Sequence, residues 1–429
     1  MQSAAIFHTN DVLTFKTKAL YQANFFDTCC YFDSNNYADP YSAFDVMIAI
    51  GVKKELCAKT GNAFEELQHF LDDDLKYVCG YFSYDLKNQL ERLDSKNPDY
   101  LHFPDLYFFI PEHLILIKGN EVKIYSDSAQ DIWDSINNVV LPHKQGCIFN
   151  GEIKSRFSRA DYMHTMKQIK EHILRGDIYE LNFCQEFFSE NTSLNPVEAF
   201  LELNSISPTP FASFFKNDQH YIISATPERF LAKRGNKLIS QPIKGTSARS
   251  ENPVEDENLK EQLKNNEKER SENVMIVDLV RNDLTKSAKP GTVTVEELFG
   301  IYSFKQVHHM ISTIVCEASE KLSNTQIIKN TFPMGSMTGA PKIRAMQLAE
   351  QYERSKRGVY SGAIGYFSPG GDFDFNVVIR TLLYNSASKY LSFQVGSAIT
   401  YEANPEQEYE ECLLKAKAIQ EVLSAHTEP

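Results

Sequence analysis

Gly362-Ala-Ile-Gly-Tyr-Phe-Ser-Pro-Gly-Gly-Asp-Phe-Asp-Phe-Asn-Val-Val-Ile-Arg-Thr-Leu-Leu-Tyr384, with Tyr390-Leu-Ser-Phe-Gln-Val395 close behind it, is the stretch that decides the fold. Residues 362–367, 373–384 and 390–395 are apolar, β-branched and aromatic, and polar breaks separate them. Such runs form strands, and Gly370-Gly371-Asp372 supplies the first turn, so the region reads as an antiparallel meander. Arg380 stands as a lone cation inside the middle strand.

Working outward, the same pattern appears earlier in the chain. Residues 221–224, 230–234 and 237–241 read as strands, the last two joined by Gly235-Asn236. Residues 178–187 form another, with Tyr179, Leu181 and Phe183 on one face. Its other face carries Glu180, Asn182 and Cys184, an unusual polar set that marks a site. Before it, Ser158 with Asp161 three residues on makes a capping box, Tyr162, Met166, Ile169 and Ile173 hold helical spacing, and Gly176 ends the helix. The first 150 residues hold short aromatic strands such as Tyr77-Val-Cys-Gly-Tyr-Phe-Ser-Tyr-Asp85 and Leu106-Tyr-Phe-Phe-Ile110. Residues 126–153 lose that character and carry Pro142, Lys144, Gly146 and Asn150, which reads as the connection between an N-terminal segment, 1–150, and the main region, 151–429. The fold class is therefore α/β in the α+β sense.

Composition limits the function. With 57 carboxylates against 44 Lys plus Arg, the net charge of −13 disfavours binding to nucleic acid. The eight cysteines form no C-x-x-C pair, so neither a zinc site nor a disulfide framework is expected, and a reducing cytoplasm fits. Residues 1–10 lack a leader pattern, and no run approaches the roughly 18 apolar residues that span a bilayer.

Four places carry chemistry. In the final helix, 405 to about 423, Glu408, Glu411 and Lys415 share a face with Cys412, Ile419, Val422 and Leu423, which puts charge on the apolar side. Unpaired charge is costly there unless a metal or an anionic ligand relieves it. A second helix, ending Glu269-Arg-Ser-Glu272-Asn-Val-Met-Ile-Val-Asp-Leu-Val-Arg-Asn-Asp283, repeats the pattern, with Glu269 and Glu272 beside Ile276, Leu279 and Val280. Two helices each turning two carboxylates inward fit a hard-oxygen site for Mg²⁺; the spacing equally fits two structural salt-bridge networks. In Phe332-Pro-Met-Gly-Ser336-Met-Thr338-Gly-Ala-Pro341-Lys342, hydroxyls and free amides precede a helix, where they can bind a carboxylate or simply cap. Arg380 offers a fork for a carboxylate, or pairs with a structural partner. Lastly, Gln241-Pro-Ile-Lys244-Gly-Thr246 sets a lysine at the end of a hairpin, where an amine is presented; a surface lysine in a turn is the plainer alternative.

These motifs, with Ser224-Ala-Thr-Pro-Glu228-Arg-Phe-Leu, occur in an order that resembles the chorismate-utilising enzymes, from Gly80-Tyr-Phe-Ser-Tyr-Asp85 to the last helix. The resemblance implies two intertwined subdomains with large antiparallel sheets face to face and helices outside, the N-terminal segment completing one of them. It implies Mg²⁺ on Glu272 and Glu411 with Glu269 and Glu408 beside them. Arg380, Lys415 and the Gly396 backbone would then take the enolpyruvyl carboxylate of chorismate, Thr246, His309, Ser336 and Thr338 would line the substrate, and Glu228 would be the general acid at C4. Lys244 would attack C2, which requires a neutral amine, its pKa lowered by burial or a nearby cation. Members making the 2-amino or 2-hydroxy product carry alanine in its place. Lys244 therefore points to the branch that aminates C4, toward para-aminobenzoate and folate. The resemblance leaves two alternatives: the 2-aminating synthase, and a silent chorismate-binding regulatory subunit. Glu180 stands where water-adding members have lysine and aminating members glutamine, and Ala398 replaces a common glycine. No cysteine sits in a Gly-x-Cys-x-Gly elbow, so ammonia is expected from a separate glutamine amidotransferase subunit.

Overall fold

The runs singled out above become strands because almost all of them are covered on both faces. The computed structural model describes residues 4–72, 76–142 and 146–424; Met1 to Ser3 and Lys144 lie outside them. Two antiparallel sheets dominate. The first has twelve strands, running in order Ala4–His8, Glu121–Tyr125, His113–Lys118, Val46–Ile50, Thr28–Asp33, Phe211–Asn217, His220–Thr226, Thr381–Asn385, Tyr390–Ile399, Glu180–Ser189 and Lys154–Ser155, with Gly339–Ala340 also paired to Glu180–Ser189. The second has ten, ordered Ile243–Ala248, Val307–Glu317, Lys237–Gln241, Arg229–Arg234, Phe373–Val377, Ala363–Phe367, Val78–Phe82, Leu106–Ile110 and Lys54–Ala58, with Thr294–Ser303 beside Val307–Glu317. The first 150 residues supply strands to both.

Alternation along the strands divides the interior into two cores. In Thr28–Asp33, Cys30 and Phe32 face the second sheet, whereas Cys29 and Tyr31 face helices. Met47 and Ala49 separate from Val46, Ile48 and Ile50 in the same way. Ring contacts show the sheets meeting face to face, with Phe215 5.4 Å from Tyr81 and 5.9 Å from Tyr107. Helices Val12–Asn24, Ala129–Asn137, Arg159–Leu174, Pro196–Ile206 and Pro405–Ser424 cover the outer face of the larger sheet through residues such as Phe15, Ile132, Tyr162, Phe200 and Ile419. Each fully buried aromatic or aliphatic side chain contributes roughly 1.5–3 kcal/mol, which makes this double coverage the main source of stability.

Three local expectations are corrected. The strand expected over 178–187 begins at Glu180, and Tyr179, just before it, is exposed, although its amide donates to the Ala340 carbonyl. Residues 126–153 are not only a connection, since Ala129–Asn137 is a helix packing Ile132 and Ile136 inward. The expected single strand 373–384 is two: Phe373–Val377 belongs to the smaller sheet and Thr381–Asn385 to the larger. The chain crosses between sheets at Val378-Ile379-Arg380, where Arg380 takes φ +51°. A non-glycine residue there costs about 1 kcal/mol, which the packing on either side absorbs. Arg380 is thus a crossover residue, not a strand residue.

Candidate active site

The crossover brings the two sheets together beside the helices Glu267–Thr285 and Pro405–Ser424, and a cleft of about 690 Å³ opens there. Twelve expected site residues line it: Glu228, Lys244, Thr246, Glu269, Glu272, His309, Ser336, Arg380, Gly396, Glu408, Glu411 and Lys415. Thr338 does not. Its hydroxyl donates to the carbonyls of Met334 and Gly335, and its own carbonyl accepts from the Asn182 amide, so it shapes the loop. Glu180 is buried behind the wall and reaches the cleft through Lys244.

Lys244 lies within the edge strand Ile243–Ala248, not at the end of a hairpin. Its pairing with Val307–Glu317 slips between Ile243 and Thr246, and Gly245 adopts φ +98°. This bulge turns the lysine into the site. The amine is not freely presented: the side chain is 10% exposed, and Nζ donates to Glu180 Oε1 at 2.7 Å. Burial alone would lower its pKa, but Glu180, Glu272 and Glu411 outweigh burial and hold it above the ordinary lysine value. The amine is thus paired with a buried carboxylate, a contact that favours its protonated form over the expected neutral one.

Glu228 sits at the start of the strand Arg229–Arg234 and is buried. Burial raises its pKa to about 7, with the Lys244 charge opposing the shift. It is a carboxyl that carries a proton near neutrality, as a general acid requires. His309 Nδ1 lies 2.9 Å from Thr246 Oγ1, and burial lowers the imidazole to about 3, with Arg380 adding to the effect, so the ring is neutral.

Two cations face the other side. The Arg380 guanidinium has no hydrogen bond or ion pair among the described residues, and burial lowers its pKa. An unpaired, half-buried guanidinium at a cleft wall calls for an anion. Lys415 Nζ donates to the Gly396 carbonyl at 2.9 Å and lies 2.5 Å from Glu411 Oε1. Gly396 must be glycine: a Cβ there would come within 2.6 Å of Cys184 Sγ and 2.7 Å of the Phe183 carbonyl.

The four glutamates come from the two helices as their periodicity implied. Asn266 caps the first through the Glu269 amide, and Glu408 is buried at the start of the second. Burial raises the pKa of Glu272 to about 7 and also raises Glu269 and Glu408, whereas Lys415 brings Glu411 below the ordinary value despite its burial. Glu272 Oε1 is buried with no hydrogen-bond partner among the described residues. Within those residues no three acidic, His or Cys side chains converge into a closed metal cage. The donor set fits Mg²⁺ all the same, because that ion takes one or two carboxylates and keeps its other positions for water and substrate oxygens.

Among the charged cleft residues that escaped the sequence reading, Lys268 has a structural role. Lys268 lies 3.4 Å from Glu408 Oε1 and 3.8 Å from Glu272 Oε1, and tethers the acidic faces of the two helices. Its place four residues before Glu272 was a usable signal. Asn273 was also missed. It donates to the Lys244 carbonyl at 3.4 Å and accepts from Ser312 at 2.6 Å, fixing the edge strand against its helix.

A family model described as chorismate binding enzyme matches residues 27–421. The chain belongs to the chorismate binding enzyme family. Among its relatives within that family is aminodeoxychorismate synthase component 1 of Escherichia coli (strain K12), 31% identical over 417 residues, covering 90% of this chain and 91% of that one. Anthranilate synthase component 1 of Aquifex aeolicus (strain VF5) is 31% identical over 368 residues, covering 81% of this chain and 74% of the relative. Two solved structures share the fold. Anthranilate synthase component I from Streptococcus pneumoniae TIGR4 superposes with a TM-score of 0.77 at 24% identity, covering 89% of this chain and 93% of that one. The menaquinone-specific isochorismate synthase of E. coli gives 0.77 at 16%, covering 99% and 95%. The expected arrangement of large antiparallel sheets with helices outside is thus that of the chorismate binding enzymes. No helix among the described residues is long and apolar enough to cross a membrane.

Proposed function

We propose that this chorismate binding enzyme is an aminodeoxychorismate synthase component I, converting chorismate and ammonia to 4-amino-4-deoxychorismate and water. The observation that carries the reading is Lys244, an amine turned into the cleft by a bulge, in the same wall as the proton-bearing Glu228. A site that only bound chorismate, as a silent regulatory subunit would, has no use for that pair.

In this reading Arg380 and Lys415 hold the enolpyruvyl carboxylate, which gives the unpaired guanidinium its partner. Thr246, neutral His309 and Ser336 position the ring. Mg²⁺, held by Glu272 and Glu411 with Glu269 and Glu408 beside them, would supply positive charge for the ring carboxylate. The Lys244 amine forms a bond to C2 as the ring double bonds shift and the C4–O bond breaks, and Glu228 gives its proton to the departing hydroxyl, releasing water. Ammonia then adds at C4 and the C2–N bond to Lys244 breaks.

The ammonia donor is a separate glutamine amidotransferase subunit; the component 1 designation of the E. coli relative supports a second component. The runner-up is the 2-aminating reaction, favoured by the equal identity to the Aquifex anthranilate synthase component 1. Product analysis separates them. With chorismate, Mg²⁺ and ammonium at alkaline pH, the purified chain should form a product that mass and NMR identify as the 4-amino isomer, whereas glutamine alone should give none. Anthranilate as the sole product would overturn the assignment.

A further inference from the structure

A lysine held protonated cannot attack carbon, so its proton must leave before C2 is reached, and among the described residues one side chain stands in contact to receive it. Glu180 Oε1 is the side-chain oxygen in hydrogen-bond contact with Lys244 Nζ, at 2.7 Å. The carboxylate is 1% exposed, and its second oxygen, Oε2, is buried with no hydrogen-bond partner among the described residues. Lys244 is therefore the group that balances the Glu180 charge. Glu180 is itself fixed in place: the Glu180–Ser189 strand is clamped between Tyr390–Ile399 and Gly339–Ala340, and Arg357 donates to the Asn182 carbonyl at 2.8 Å.

We propose that Glu180 is the catalytic proton acceptor that converts the Lys244 ammonium to the attacking amine and returns the proton at the end of the cycle. This rests on the reading of Lys244 as nucleophile. The steps balance. A proton moves from Nζ to Oε1, leaving a neutral amine and a carboxylic acid. The amine bonds to C2 while the C4–O bond breaks, and the Glu228 proton leaves with the hydroxyl as water. Ammonia bonds to C4, the C2–N bond breaks, and Lys244 departs as a neutral amine that takes its proton back from Glu180. The ammonium formed at C4 gives one proton to Glu228, which restores the starting state. Glutamine at this position could accept the lysine hydrogen bond but could not hold the proton, so the carboxylate is a functional departure of this chain.

The charged and titratable groups whose fields reach the pair are Glu228, Glu269, Glu272 and Glu411. All are retained in Glu180→Gln, so the chorismate-binding wall is the same in both proteins. The test uses the full chain with chorismate and Mg²⁺ but no ammonia, quenched at intervals between about pH 6 and pH 9, with the mass of the Lys244 peptide as the readout. Near pH 7, Glu180→Gln should slow adduct formation about 100-fold, the order expected for a lost general base. The wild-type to variant ratio should narrow about tenfold per pH unit as hydroxide takes over the deprotonation, with chorismate affinity unchanged. Equal rates, or a ratio that does not move with pH, would overturn the proposal, the latter marking a structural role. Should Glu180→Gln not fold, Glu180→Asp carries the test, with adduct formation slowed at least tenfold and a wild-type rate overturning it. A wild type that turns over without any adduct would fail at the underlying reading instead, and is told apart by that result.

Discussion

Glu228→Gln separates the acid from the charge it avoids. The folded-state pKa of Glu228 is about 7 against an ordinary 4.5, because burial penalises its anion. Between those values the folded protein binds more protons than the unfolded chain, so stability falls as pH rises through the window from about 4.5 to 7. At ~1.4 kcal/mol per pKa unit, the gap corresponds to about 3 kcal/mol of destabilisation above pH 7. Glutamine keeps the shape and removes the ionisation. Glu228→Gln should therefore melt at a higher temperature than wild type at pH 8, and the difference should vanish as pH falls toward 4.5. Its turnover should drop by about 10²- to 10⁴-fold, the usual contribution of a general acid. At constant free ammonia, wild-type turnover should decline above about pH 7 as the acid ionises. Differential scanning fluorimetry across pH, paired with product formation at each pH, reads both. A variant that is no more stable than wild type at pH 8, or one that turns over normally, would refute the account of Glu228.

Arg380→Gln should raise the KM for chorismate about tenfold to a hundredfold while leaving the melting temperature unchanged or higher, since a charge-assisted contact is worth ~1.5–3 kcal/mol and the guanidinium has no partner among the described residues; steady-state kinetics with thermal scans checks this. Glu272→Gln should abolish turnover with the fold intact and lose the wild type's response to added Mg²⁺, and EDTA should silence the wild type, so EDTA-insensitive activity would contradict the metal assignment.

What could be read from the sequence divides along physical lines. Elements bounded by local chemistry were legible: the Ser158 cap accepts from the Asp161 amide as expected, and the Gly235-Asn236 hairpin joins Arg229–Arg234 to Lys237–Gln241. The acidic helix faces were also legible, because 3.6-residue periodicity alone sets Glu269 with Glu272 and Glu408 with Glu411. The sheet switch at 378–380 was not. Val377-Val378-Ile379 is an unbroken β-branched run, so nothing in its pattern differs from a continuing strand, and the break at Arg380 is imposed by packing from both sheets. Thr338 was misplaced for a similar reason, since a loop hydroxyl that bonds its own backbone looks the same in sequence as one that meets a ligand. The state of Lys244 was misjudged because it depends on Glu180, 64 residues away, and on two helices whose approach no local pattern announces.

The most direct test of the central claim is the mass of the Lys244-bearing peptide from wild-type protein quenched during turnover with chorismate, Mg²⁺ and ammonium. The account predicts a fraction of that peptide carrying chorismate less one water, attached at Lys244. Accumulation of the 4-amino product with Lys244 unmodified at every time point would contradict it.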